Sequence, residues 1–147
     1  MNKAIEPAAR FIRPGMRGLD YGSGPARTLA ALLDRMGVAC DSYDPLFFPD
    51  ADIARRYDFI FATECFEHFF FPSRELDRLL ALMAKGASLI VMTSLWKSLD
   101  EFKNWSYARD FTHVSFYHAQ TMDWIGGHYG LSKVFDDETR VVIFQST

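Results

Sequence analysis

Apolar positions along this chain fall into short unbroken runs separated by segments where they recur every three or four residues. Residues 16–21 are such a run, and it stops at Gly22-Ser23-Gly24-Pro25. Leu29, Leu32, Leu33 and Met36 then share one face of a helix until Gly37. A strand, a glycine-rich turn and a helix are predicted in that order, because helical spacing builds one apolar face and glycine closes helices in the left-handed region. Residues 38–43 read as a second strand ending at Asp44-Pro45. Residues 45–56, with Pro45, Pro49, Asp50 and Asp52, show no period. Tyr-Asp-Phe-Ile-Phe-Ala-Thr at 57–63 is nearly all apolar, the pattern of a parallel strand covered on both faces. A helix over 73–84 carries Leu76, Leu79, Leu80 and Met83 on one face and stops at Lys85-Gly86, and residues 87–93 make another buried strand.

Residues 94–117 form a long aromatic loop from Trp96 to Tyr117, a length that points to function in so small a chain. Residues 120–129 suit a helix closed by Gly130. Residues 131–135 and 140–145, joined by Asp136-Asp137-Glu138-Thr139, suit an antiparallel hairpin. Strands alternating with helices predict one α/β domain over 1–147, an open Rossmann-like sheet that is mostly parallel with a C-terminal antiparallel hairpin. The expected spatial order is 38–43, 16–21, 57–63, 87–93, then the hairpin. The 12 residues between Asp44 and Tyr57 are too few for a helix, a strand and a second helix, so the third strand usual at that point is expected to be missing.

Composition narrows the function classes. The chain has 147 residues, 49% apolar and 24% charged, with no apolar run near the roughly 20 residues that span a bilayer. No membrane partner is expected, and an N-terminus without an apolar core segment makes the cytoplasm the expected location. Cys40 and Cys65 form no Cys-x-x-Cys pair, which supports neither a disulfide framework nor a structural zinc site. A net charge of -3, with basic residues scattered apart from Arg55-Arg56, argues against nucleic acid. A small-molecule partner is expected. Most of the 14 Phe belong to the core, but Phe47-Phe48 and the Phe66 to Phe71 cluster sit beside chemically marked positions.

In an open α/β sheet ligands bind at the carboxyl ends of the strands. Three such ends are marked here. Gly18-Leu19-Asp20-Tyr21-Gly22-Ser23-Gly24-Pro25 offers a tight turn, close backbone approach and a carboxylate. Asp44 lies 20 residues after Gly24, where a carboxylate can take both hydroxyls of a ribose. Glu64-Cys65-Phe66-Glu67-His68 closes the strand expected beside the first. A dinucleotide fold shares the turn and the ribose carboxylate, but Arg27 stands where its glycine fingerprint needs Gly, and Asp20 would oppose a pyrophosphate. A cofactor with a ribose, a positive amine and no phosphate fits better, and S-adenosylmethionine has all three features.

On these residues the chain resembles a class I S-adenosylmethionine-dependent methyltransferase. Gly18 to Gly24 is similar to that family's first motif and Tyr43-Asp44-Pro45 to its ribose-binding acidic position. Tyr57-Asp58-Phe59-Ile60 with Glu64 and Glu67-His68 resembles the branch that includes ubiquinone-biosynthesis-type O-methyltransferases. Lys85 to Ile90, and Asp110 to Tyr117 followed by Tyr129-Gly130-Leu131, continue the likeness to the C-terminus. The resemblance implies a cofactor site at Asp20, Gly22, Ser23, Gly24, Asp44, Pro45 and Glu64. Phe47 and Phe48 are the groups nearest to pack on a purine.

Asp110 and His113, three apart in the aromatic loop, are the expected catalytic pair, with Asp110 orienting the imidazole and His113 taking the acceptor's proton. His68 is the second candidate base. A small apolar acceptor, phenolic or catechol-like, with an oxygen nucleophile is preferred from the aromatic residues around the entrance. The alternative is a cofactor-binding protein without transfer, a sensor or partner subunit. Glu64, Glu67, His68 and His113 lack the tight spacing of a metal motif, so no metal is expected. Ala26 in place of the motif's third glycine and a very short N-terminal lid leave room for a homodimer that covers the cofactor with the aromatic loop. His118 and His128 are expected at the surface or at helix caps.

Overall fold

The computed structural model describes residues 2–51 and 53–147, and in it the four apolar runs become the parallel part of one sheet. These are β1 (Arg17–Tyr21), β2 (Ala39–Tyr43), β3 (Tyr57–Thr63) and β4 (Met83–Met92), and β7 (Leu131–Asp136) with β8 (Val141–Ser146) is the C-terminal hairpin. The order is β2-β1-β3-β4-β8-β7, parallel as far as β4 and antiparallel from there. It agrees with the expected order. Among the described residues nothing extends the sheet beyond β2, and residues 44–51 contribute only an isolated bridge between Asp44 and Phe48.

Alternation along the strands sorts the core into two layers. Ile60, Ala62, Leu89, Val91, Val142 and Phe144 face Leu76, Leu79 and Leu82 of α3 (Pro72–Leu82) and Met122 and Ile125 of α5 (Ala119–Tyr129). Phe59, Phe61, Ile90, Met92, Val141 and Ile143 face Leu29 and Leu33 of α2 (Thr28–Arg35) and Ala4 and Ala8 of α1 (Asn2–Ala8). Burying each of these large side chains stabilises the fold by about 1.5–3 kcal/mol before chain entropy is charged against it.

Two boundaries differ from expectation. The helix over 73–84 ends at Leu82, and β4 begins at Met83 rather than at 87. Met83 pairs with Tyr57 and Ser88 with Phe59, so the intervening residues bulge out around Gly86, whose φ is 75°. The bulge lets one strand run through a sequence that reads as a helix stop. The aromatic loop is also folded. It holds β5 (Leu95–Trp96) paired in parallel with β6 (Tyr117–His118), α4 (Leu99–Asn104) and a 3-10 turn at Ser106–Arg109. Aromatic pairs hold it, with Phe102 and Phe116 at 5.2 Å and Trp105 stacked on Tyr107 at 4.7 Å. Such packing has no sequence period, so the pattern predicts only a loop.

Candidate active site

The carboxyl ends of β1, β2 and β3 open on a cavity of about 550 Å³. Gly22 and Gly24 line it with φ of 77° and 62°. A Cβ on Gly22 would lie 2.7 Å from the Cβ of Cys65, so the turn after β1 rests directly on the turn after β3. Beside Gly24 there is open space instead, which is where a ligand can approach the backbone. The N–H groups of Gly22 and Ser23 both donate to the carbonyl of Tyr43, at 2.8 and 3.1 Å.

Asp44 ties the second loop to the first. Its Oδ2 accepts from Gly24 N–H at 2.9 Å, and its Oδ1 accepts from Leu46 N–H at 2.9 Å and Phe47 N–H at 3.2 Å. A carboxylate has about four acceptor positions, so the turn role leaves about one for a ribose hydroxyl. Asp20 is buried beneath the glycine turn, and burial, reinforced by the charge of Asp44, pushes its pKa up to about 7. Neither Asp20 nor Ser23 lines the cavity, and the Ser23 hydroxyl donates to Gly24 O. Pro45 and Glu64 do line it.

Tyr21 and Tyr43, with ring centroids 5.1 Å apart, and Phe69 make one wall. Leu46 and Phe47 form another, while Phe70 and Phe71 stand exposed at the mouth. Phe48 turns away. Its ring lies under the Arg27 guanidinium at 3.6 Å, in a second cavity along the outer edge of β2, so of the two expected phenylalanines only Phe47 reaches the cleft. Sequence reasoning missed Glu75 and Arg78 of α3, which line the cleft behind the tyrosines. Glu75 accepts from the Tyr21 hydroxyl, and the Arg78 guanidinium lies 4.7 Å from the Tyr43 ring centroid.

At the end of β3 the chain turns through Glu64, whose φ is 52° and whose N–H donates to Met92 O at 2.7 Å. That left-handed conformation costs about 1–2 kcal/mol for a residue with a Cβ, and it aims the next residues back at the cleft. Glu67 is 1% exposed. Its carboxylate accepts from the Thr93 hydroxyl at 2.9 Å, itself 3.1 Å from the Tyr107 hydroxyl, while its carbonyl accepts from Val114 and Ser115 N–H at 2.8 and 3.1 Å. Burial, together with a hydrogen bond to Glu67 and its charge, raises the pKa of Glu64.

These bonds hold the aromatic loop against the end of β3 and set two imidazoles side by side, of which His68 lines the cavity and His113 does not. The rings of His68 and His113 are 5.0 Å apart. His68 Nδ1 donates to Thr112 O at 2.9 Å and His113 Nδ1 to Tyr107 O at 2.7 Å. A carbonyl oxygen has only lone pairs, so each Nδ1 carries a hydrogen, and the neutral form of each ring has its lone pair on Nε2.

Asp110 stands within ion-pair reach of His113 but not at hydrogen-bond distance. It is exposed, its Oδ1 accepts from Thr112 N–H and Oγ1–H, and its Oδ2 stays 3.7 Å from His113 Nε2. The Thr112 bonds hold its carboxyl below the usual range. The tautomer of His113 is set by the Tyr107 carbonyl instead. His118 caps α5 by accepting from Gln120 N–H, and His128 is exposed and stacked on Trp124, both in the places expected.

A glycine turn, a clamped carboxylate and a polar strand end around one nucleoside-sized cavity agree with the family match. Residues 1–134 match the family described as Methyltransferase domain. The chain belongs to that family. The methyltransferase domain has the expected Rossmann-like fold, shared with solved SAM-dependent methyltransferases. It superimposes on a SAM-dependent methyltransferase from Archaeoglobus fulgidus with a TM-score of 0.70 at 15% identity, covering 98% of this chain and 92% of that one. It also resembles the 1,6-didemethyltoxoflavin-N1-methyltransferase of Burkholderia thailandensis, solved with 1,6-didemethyltoxoflavin and S-adenosylhomocysteine, with a TM-score of 0.74 at 13% identity over 99% and 77% of the two chains. An O-methyltransferase family 2 protein from Planctomyces limnophilus in complex with apigenin gives a TM-score of 0.64 at 13% identity, over 91% and 50%. No curated protein matches the chain by sequence.

Proposed function

We propose that this domain moves the methyl group of S-adenosylmethionine to an oxygen of a small apolar acceptor, phenolic or catechol-like. The observation that carries the reading is that the glycine turn clamped by Asp44 shares one cavity with His68, whose ring lies 5.0 Å from that of His113. The residues present fit the cofactor. Gly24 leaves open space on the cavity, Asp44 keeps an acceptor position for a ribose hydroxyl, and Phe47 and Phe69 are apolar faces for a purine. When bound, the cofactor supplies an electrophilic methyl on a positive sulfur.

The chain's own task is to position the acceptor, exclude water and take a proton. Phe70 and Phe71 rim the mouth where an aromatic acceptor can pack, and His113 is the first candidate base with His68 beside it. The ligands of two structural neighbours, 1,6-didemethyltoxoflavin and apigenin, are flat aromatic compounds and agree with such a pocket.

Titration with S-adenosylhomocysteine should show binding at one site, weakened about tenfold or more by Asp44→Ala, which corresponds to at least about 1.4 kcal/mol. His113→Ala should lower turnover on a phenolic acceptor by about 10²–10⁴-fold while cofactor affinity stays nearly the same. No binding of either cofactor form sinks the reading. Binding without turnover on any acceptor tested decides for the alternative, a cofactor-binding protein without transfer.

A further inference from the structure

We infer that Glu67, His68 and His113 form a binding site for a borderline first-row divalent cation such as Zn²⁺, Co²⁺ or Fe²⁺. One ligand atom from each of Glu67, His68 and His113 lies within 4.8 Å of the others. At about 2.0–2.2 Å per ligand, a tetrahedral site has its donor atoms about 3.5 Å apart, so closing on a cation takes about 1 Å of side-chain movement. His68 is exposed and free to make it.

The surroundings of these donors are those of a built site. Both imidazoles donate Nδ1–H to backbone carbonyls, at 2.9 and 2.7 Å, which fixes the tautomer and presents Nε2. Outer partners of that kind orient metal-bound histidines. Glu67 is held by the Thr93 hydroxyl, which the Tyr107 hydroxyl in turn contacts. A carboxylate this deeply buried is normally paired with a cation, yet among the described residues Glu67 makes no ion pair with Lys or Arg. A buried carboxylate next to two imidazoles is a place where a dication can bind. Two nitrogens with carboxylate oxygens suit borderline ions, whereas Mg²⁺ and Ca²⁺ prefer oxygen throughout.

Glu64 and His68 also line the cofactor cavity, so the cation would keep an open position facing the acceptor. That last step rests on the methyl-transfer reading. An acceptor hydroxyl bound there loses its proton to solvent more readily. Its oxygen then forms the O–C bond as the C–S bond breaks and the electron pair returns to sulfur. The imidazoles act in this case as ligands rather than as bases.

The test is calorimetric titration of chelator-treated protein with Zn²⁺, repeated with Co²⁺ and read by visible absorption. One equivalent should bind, with a Co²⁺ spectrum of a nitrogen-ligated ion, and Mg²⁺ should not compete at similar concentration. His68→Ala, His113→Ala and Glu67→Gln should each weaken Zn²⁺ by at least about tenfold, and His128→Ala should change nothing. Because His68 is exposed, its variant keeps the test decisive if a substitution at buried Glu67 or at His113 impairs folding. Substoichiometric binding, unchanged affinity in His68→Ala and His113→Ala, or loss only in His128→Ala overturns the site. Titration of the same samples with S-adenosylhomocysteine separates the two readings. Cofactor binding without Zn²⁺ binding removes the cation site and leaves methyl transfer with His113 as base, whereas Zn²⁺ binding without cofactor binding does the reverse.

Discussion

Asp20 holds its proton to an unusual pH because β1 carries it under the glycine turn, 2% exposed, with the charge of Asp44 close by. Cys40 and Cys65 face the same region, and their thiols are pushed up by burial and by nearby carboxylates that include Asp20. In the unfolded chain the Asp20 carboxyl titrates near its ordinary 3.8, whereas in the fold it titrates near 7. Between those values the folded state holds one proton more, so its contribution to stability is complete below the lower pKa and is lost as pH rises through the upper one. The urea midpoint should therefore fall between pH 5 and pH 8 by more in the wild type than in Asp20→Asn. A cationic cofactor favours the ionised carboxylate. Cofactor binding should release a proton near pH 7, seen as a dependence of binding heat on buffer ionisation enthalpy that Asp20→Asn abolishes. Proton uptake on binding, or no dependence in the wild type, would place the positive groups away from Asp20.

The turn after β1 separates what stability needs from what the cofactor needs. At Gly22 an alanine meets both a left-handed φ of 77° and the Cβ of Cys65 at 2.7 Å. Strain of about 1–3 kcal/mol is expected, and a comparable contribution from the close contact should make the loss of thermal midpoint plain. At Gly24 the φ of 62° costs about 1–2 kcal/mol for an L side chain, but a Cβ there finds open space. Gly24→Ala should therefore lose less stability than Gly22→Ala, while its new methyl enters the cavity and weakens S-adenosylhomocysteine. Paired melting and titration curves for the two variants check the split. Equal effects of both substitutions on both quantities would show that Gly24 has no ligand beside it.

At the scale of the molecule, β3 and β4 lie between two apolar layers, while β2 is paired only through β1 among the described residues. Amides of β3 and β4 should exchange last, close to the global opening free energy, and those of β2 measurably earlier. Phe59 is fully buried at the centre of the α1/α2 layer, so Phe59→Ala should cost about 3–5 kcal/mol, readable from the urea midpoint. The aromatic loop expected to cover the cleft in a dimer packs most of its rings on one another. The exposed apolar surface at the mouth is instead Leu46, Phe70 and Phe71, with Phe111 exposed on the loop. A second copy closing the cleft would have to meet those side chains.

Strand runs, helix stripes and glycine turns were legible because each follows from local sterics and from burial on one face. Gly37 and Gly130 stand just after α2 and α5, and the short interval after Asp44 announced an unextended β2 edge. The bulge at Gly86 was not legible, since only pairing with β3 shows that Met83 and Ser88 belong to one strand. The polar end of β3 was legible only in part. His68, His113 and Asp110 were singled out, and in the fold Asp110 gives Oδ1 to Thr112 and keeps Oδ2 3.7 Å from His113 Nε2. Glu67 instead brings the groups together, through one carbonyl that accepts from Val114 and Ser115 across more than 45 residues of chain. Local sequence determined the elements and the glycine turn because their causes lie within a few residues. The tertiary structure decided which imidazoles and carboxylates meet, because that depends on hydrogen bonds between segments that have no common period.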